Sequence, residues 1–116
     1  TEHLWRRIFD PNDPVTCIVA EHDGSVVGIA HFFEHPDTWE ERPVCYLEDL
    51  FVDPSHRRSG IATGLIVEIQ RRCREHGWPR LYWTTMNDNT RARRVYDAIT
   101  GGANGHIVYE VEMPDG

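Results

Sequence analysis

Two acidic side chains and one tyrosine carry the clearest capacity for chemistry in this sequence. Glu48 and Asp49 interrupt the apolar run Tyr46-Leu47-Glu48-Asp49-Leu50-Phe51-Val52. A carboxylate in that setting can hold a cation and take a proton from it. Tyr96 ends the spacing Asn89-x-x-Ala92-x-x-x-Tyr96, which places all three near one face of a helix. Between them lies Arg57-Arg58-Ser59-Gly60-Ile61-Ala62-Thr63, a short stretch of small residues that opens a helix. The unpaired N–H groups of such a helix start suit a phosphate, and Arg57 and Arg58 add positive charge. Each feature also has a plainer reading. Glu48 and Asp49 fit a solvated edge or a pair of arginine partners, the loop an ordinary connection with two solvated arginines, and Tyr96 the core of a capped helix.

The elements that would position these groups follow in a regular order. Glu2 to Phe9 reads as a short helix-like stub, broken by Asp10-Pro11-Asn12-Asp13-Pro14. Thr16 to Ala20 and Val26 to Phe33 read as strands joined at Asp23-Gly24. Residues 34–43 form a loop and Val44 to Val52 the acidic strand. Ile61, Leu65, Ile69 and Cys73 recur every four residues, with Ala62 and Ile66 beside them, as one buried face of a helix from Gly60 to His76 that Gly77 and Pro79 end. Leu81 to Thr85 is a further strand, Asn89 to Ile99 a second helix with Asn89 as its N-cap, and His106 to Met113 the last strand.

Composition narrows the classes. A chain of 116 residues with 40% hydrophobic residues, four Trp, four Tyr and four Phe is globular and large enough for one modest core. No apolar run approaches the ~18 residues of a membrane span, and no secretory signal is visible. Cys17, Cys45 and Cys73 are odd in number and widely spaced, as buried thiols in a reducing cytosol would be, and a cytoplasmic protein is expected. A net charge of −7 disfavours a nucleic-acid surface and suits a cationic small substrate. His31 and His35 fall on strand and loop and share no helical face, so no metal site is expected.

Other phosphate loops fail on their residues. A Walker A loop needs Gly-Lys-Ser/Thr, and this chain has no lysine. A dinucleotide fingerprint needs G-x-G-x-x-G, whereas only Gly60 and Gly64 fall near that spacing. What remains is R-x-x-G-x-A after an acidic strand, followed by a helix, a strand and N-x-x-A-x-x-x-Y. That order resembles the GCN5-related N-acetyltransferase (GNAT) family. Leu47-Glu48-Asp49-Leu50-Phe51-Val52 further resembles the L-E-D-x-x-V segment of its diamine, polyamine and small-amine branch.

The resemblance runs from about Val15 to Met113, and what it implies is specific. The fold would be α/β (α+β): a mixed, mostly antiparallel sheet with a splayed central strand pair, flanked by helices. Leu50, Phe51 and Val52 would hold the pantetheine arm and thioester of acetyl-coenzyme A. The Arg57–Thr63 loop, with Arg58, Ser59, Gly60, Ile61 and Ala62, would cradle its pyrophosphate. Asn89 and Ala92 would lie against the coenzyme, and Tyr96 would protonate the leaving thiolate. Glu48 would be the base, with Asp49 on the opposite face of a regular strand, and Tyr82 and Thr84 would touch the acceptor amine. The activity implied is direct acetyl transfer from acetyl-coenzyme A to a primary amine in a ternary complex, without a metal, in a homodimer. Two other readings fit the same residues: a non-catalytic acetyl-coenzyme A sensor of this fold, and an unrelated phosphate-binding domain.

Departures from the family pattern are visible. Arg58 stands where relatives often carry Gly, and Ile99-Thr100-Gly101-Gly102 lacks the Gly-aromatic pair expected after the tyrosine. The family's first strand and helix are expected to precede Glu2. Residues 1–116 are therefore expected to be a single acetyltransferase domain shortened at its amino end.

Overall fold

Five strands line up in sequence order to form one sheet, β1-β2-β3-β4-β5. The computed structural model describes the main chain of residues 4–8 and residues 14–56 and 60–114 in full. The strands are β1 (Leu4–Ile8), β2 (Thr16–His22), β3 (Ser25–His35), β4 (Val44–Val52) and β5 (Leu81–Tyr82). β1 to β4 pair antiparallel, and β5 joins β4 in parallel. Helix α1 (Ile61–His76) connects β4 to β5, as a parallel pair requires. This is the mixed, mostly antiparallel α/β sheet that the sequence implies. The chain divides into two compact units, Thr1–Met86 and Asn87–Gly116. The first holds the sheet and α1, and the second holds helix α2 (Thr90–Thr100).

Three elements differ from their sequence reading. Leu4–Ile8 is a strand, not a helical stub: Leu4 faces Glu21 and Ile8 faces Cys17 in the ladder with β2. Eight residues make a marginal helix, and pairing with an apolar neighbour overrides local propensity. The break assigned to residues 10–13 lies outside the described residues. β5 stops at Tyr82 and does not reach Thr85, because β4 offers it only Cys45 and Tyr46 as partners. His106 to Met113 carries strand-forming residues but belongs to no ladder, and Ile107, Val108, Tyr109, Val111 and Met113 are exposed. A strand pattern yields a strand only where a partner edge is available.

The core lies between one sheet face and α1. Ile61, Leu65, Ile66, Ile69 and Cys73 of α1 are buried, with Ile18 and Ala20 of β2, Ala30 and Phe32 of β3, and Cys45 and Leu47 of β4. Ile61, Leu65, Ile69 and Cys73 are the stripe expected from the four-residue recurrence. Cys45 and Cys73 are buried and Cys17 half-buried, all as free thiols. Burial raises the Cys17 thiol above its usual range.

Gly28 sets how closely α1 approaches the sheet. A Cβ there would meet Ile61 Cγ2 at 2.8 Å and Leu65 Cδ1 at 3.2 Å. Overpacking of this kind costs about 1–3 kcal/mol. That exceeds the about 0.5–1 kcal/mol regained when alanine replaces a mid-strand glycine. Gly28→Ala is therefore expected to lower the denaturation midpoint in urea. A midpoint at or above the parent's would show that the α1 contact yields freely.

Candidate active site

The site is built around an irregularity in β4. From Gly28↔Val52 to His31↔Asp49 the β3–β4 pairing keeps one register, and from Phe32↔Leu47 to His35↔Val44 it keeps another. Glu48 is the additional residue, so Glu48 and Asp49 together stand opposite His31 in a β-bulge. Leu47 and Leu50, three apart, consequently pair with Phe32 and Ala30 on the face that α1 covers. The bulge corrects the expectation that Asp49 points away from Glu48. That expectation assumed a regular two-residue alternation, which the bulge interrupts at these two residues, and both are exposed.

Among the described residues, β4 has no second neighbour in the sheet past Tyr46. Its Leu47–Val52 edge away from β3 pairs with no described strand, because β5 pairs with Cys45 and Tyr46 alone. Open strand edges present main-chain donors and acceptors to a ligand. Of the expected coenzyme contacts on this stretch, Leu50 and Val52 are half-buried on the α1 side and Phe51 is 56% exposed on the other. The strand then runs through Asp53, whose carboxylate accepts from the Ser55 N–H (3.0 Å) and hydroxyl (2.9 Å), into a single 3₁₀ turn over Pro54–His56.

Arg57, Arg58 and Ser59 of the loop lie outside the described residues. Gly60 begins the described part and caps α1 in the left-handed region, with φ 82° and ψ 10°. Space around it is open, so it is the backbone conformation that favours glycine here. Gly60 O accepts the first helical bond, from Gly64 N–H at 2.9 Å. The N–H groups of Ile61, Ala62 and Thr63 precede that bond and have no helical acceptor, and Gly60 brings no capping side chain. With Ile61 buried, Ala62 half-buried and Thr63 exposed, the helix start offers main-chain donors at its end while its apolar side stays in the core.

An aromatic group lies on the sheet face opposite α1, next to the bulge. Phe33 packs edge-on against Tyr46 (5.6 Å between centroids), and Tyr46 lies 4.9 Å from Tyr82. His35 Nδ1 donates to the Pro36 carbonyl at 2.8 Å, which leaves Nε2 to accept from the Tyr82 hydroxyl at 2.7 Å. Burial raises the Tyr82 phenol, while Arg80, 5.1 Å over its ring, pulls the other way. Arg80 also pairs with Asp37 at 2.9 Å. Tyr82 thus lies against Tyr46, two residues before Glu48 on β4. Thr84 is exposed and past the end of β5, so no strand orients it. β3 extends to His35, which is a strand residue and not part of a loop. His31 and His35 therefore share a strand face, and among the described residues no group of three metal-ligating side chains comes together.

The second unit presents its signature as the sequence suggested. Asn89 caps α2 by accepting from the Ala92 N–H at 3.3 Å, and its carbonyl accepts from Arg93 N–H at 3.0 Å. Ala92, Val95, Tyr96 and Ile99 form its half-buried face. Burial raises the Tyr96 phenol above its usual range, so the proton stays on oxygen through neutral pH. The sequence weighs His31 only as a metal ligand, and the strand register is what sets it across from Asp49.

The Acetyltransferase (GNAT) family model matches residues 1–101, and the chain belongs to that family. It is 34% identical over 97 residues to a D-amino-acid N-acetyltransferase of Saccharomyces cerevisiae, covering 82% of this chain and 60% of that protein. It is 30% identical over 91 residues to a thialysine N-epsilon-acetyltransferase of Bos taurus, covering 72% and 53%. The chain thus spans between about half and three fifths of these curated relatives. An aminoglycoside N-acetyltransferase solved with coenzyme A superposes with a TM-score of 0.77 at 27% identity, covering 88% of this chain and 78% of that one.

Proposed function

We propose that this chain is the acetyl-coenzyme A-binding and catalytic part of an N-acetyltransferase acting on a small cationic primary amine. The observation that carries this is the bulge. It sets Glu48 and Asp49 side by side on a strand whose other edge, past Tyr46, pairs with no described strand and whose end leads into the Gly60 helix cap.

Coenzyme A fits the residues present. Its pyrophosphate suits the Ile61–Thr63 N–H groups and the adjoining arginines, and its pantetheine amides suit the Leu50–Val52 edge. Bound there, the coenzyme supplies an acetyl thioester. An alkylammonium has an unperturbed pKa of about 10.4 and cannot attack a thioester until it loses a proton. Glu48 attracts the cation and accepts that proton, directly or through water. Asp49 adds a second negative charge, and Tyr46 and Tyr82 wall the acceptor. A β4 N–H would meet the negative charge that develops on the acetyl oxygen, and the family signature that ends at Tyr96 assigns that phenol the protonation of the leaving sulfur.

The relatives support an amine acceptor and differ in which one. Their named substrates are D-amino acids, thialysine and aminoglycosides. Thialysine is a lysine analogue with a primary amine at its side-chain end, which favours the diamine and small-amine branch for this chain. A screen of diamines, polyamines, D-amino acids, thialysine and aminoglycosides with detection of free thiol tests the proposal. Turnover with at least one amine is expected. Coenzyme A binding without transfer to any would favour the sensor reading. A cytoplasmic homodimer is part of the same proposal, and a monomeric mass in solution would remove the dimer from it.

Glu48→Gln is expected to lower turnover about a hundredfold near neutral pH and to recover as pH rises. Above the amine's pKa the free base no longer needs a proton acceptor. A pH–rate profile parallel to the parent's would remove Glu48 from that role.

A further inference from the structure

Acetyl transfer to an ammonium ion releases a proton. The nitrogen sheds two. One ends on the coenzyme thiol, and the other must leave the protein in each cycle. If Glu48 takes the first proton from the amine, it must be emptied before the next substrate arrives.

His31 stands where that proton can go. It occupies β3 directly across from the bulge, in register with Asp49 and next to the additional residue Glu48. Its Nδ1 is 3.3 Å from Asp49 Oδ2. Nδ1 is shielded from solvent and makes an ion-pair contact there without an aligned hydrogen bond. Its side chain as a whole is 34% exposed and that of Asp49 64%. A carboxylate beside Nδ1 favours a proton on that nitrogen, which leaves Nε2 as the free lone pair. Cys17, the residue opposite on β2, is held neutral by burial, and neighbours on this face of β2, β3 and β4 include Val19, Ile29, Phe33, Tyr46 and Phe51, none of them charged. Glu48 and Asp49 are thus the charged groups that β2 and β4 bring to His31. An imidazole ring has one nitrogen that can accept a proton and one that can release it, so it can pass a proton on.

We propose that His31 is the proton exit of the site and Asp49 its positioning residue. The proposal rests on the amine-acetylating function above. In each cycle the O–H bond of protonated Glu48 breaks and an N–H bond forms at His31 Nε2. The imidazolium, stabilised by Asp49, then yields its proton to water, which restores carboxylate and imidazole with nothing oxidised or reduced.

The test is a pH–rate series on the parent, His31→Gln and Asp49→Asn with the best amine, each with and without added free imidazole. His31→Gln is expected to lower kcat about tenfold near neutral pH. The KM for amine and the affinity for coenzyme A should stay within about twofold, and free imidazole should restore part of the rate. General acid–base steps are typically worth ~10²–10⁴-fold, and a relay that water can partly replace is worth less. Asp49→Asn changes an exposed side chain without touching the core, and a smaller kcat loss is expected from it. If His31→Gln misfolds, His31→Asn with the same imidazole rescue takes its place. Unchanged kcat in the His31 variant, a loss confined to its KM, or its indifference to imidazole would overturn the proton exit. A parent that acetylates no amine would overturn the functional reading beneath it. An active parent with an unaltered His31→Gln profile overturns the proton path alone.

Discussion

Gly60→Asp should abolish acetyl-coenzyme A binding while leaving the fold intact. The glycine sits at the N-cap of α1, with φ 82° and nothing within 4 Å of an added Cβ. Aspartate tolerates the left-handed region better than most residues, and it suits a helix start. The protein should therefore fold. A bound pyrophosphate would meet a new negative charge at close range. Two unit charges about 4 Å apart repel by roughly 4 kcal/mol at an effective dielectric near 20. That corresponds to about a thousandfold in affinity, at 1.4 kcal/mol per factor of ten. Gly60→Asn is the control, with the same shape and backbone tolerance but no charge. It should retain binding within about tenfold. Titration calorimetry decides between them, and equal affinities for Asp and Asn variants would place the phosphates elsewhere.

Tyr96→Phe should keep both the fold and the coenzyme affinity and slow acetyl transfer by up to about a hundredfold. The phenylalanine ring preserves the half-buried packing of α2, so the loss isolates the hydroxyl. General-acid help is typically worth ~10²–10⁴-fold. The lower end applies here because a thiol of pKa about 8.5 is already a fair leaving group. Burial holds the phenol protonated, so the Tyr96-dependent rate should be level from pH 6 to 9, roughly the range below an ordinary phenol's pKa of about 10. A variant as fast as the parent with its best amine would leave Tyr96 as a packing residue of α2.

The elements that carry this site differ in how plainly the sequence announces them. α1 was legible because Ile61, Leu65, Ile69 and Cys73 repeat at one helical turn and Gly60 and Gly77 bracket them, and both glycines are left-handed caps. Asn89 was legible as the cap of α2 for a similarly local reason. The bulge was not. Glu48 and Asp49 follow each other in a strand that looks regular, and only the pairing of His31 with Asp49 and of Phe32 with Leu47 shows the additional residue. The His31–Asp49 contact joins residues 18 positions apart, so it depends on register and leaves no local trace. β1 reads as helical because Leu4 and Ile8 stand about one helical turn apart, and its strand identity comes from pairing with β2. The short β5 has the same cause, since its length is set by how far β4 stays alongside.

The most direct measurement is a mass balance on one reaction. Acetyl-coenzyme A and the best amine from the screen are incubated with the protein, and free thiol and N-acetylated amine are quantified together. One thiol released per amide formed is expected. Both should depend on the amine, and both should fall in Glu48→Gln. Thiol release that proceeds equally without amine, or no amide with any acceptor while coenzyme A still binds, would contradict acetyl transfer as the function of this chain.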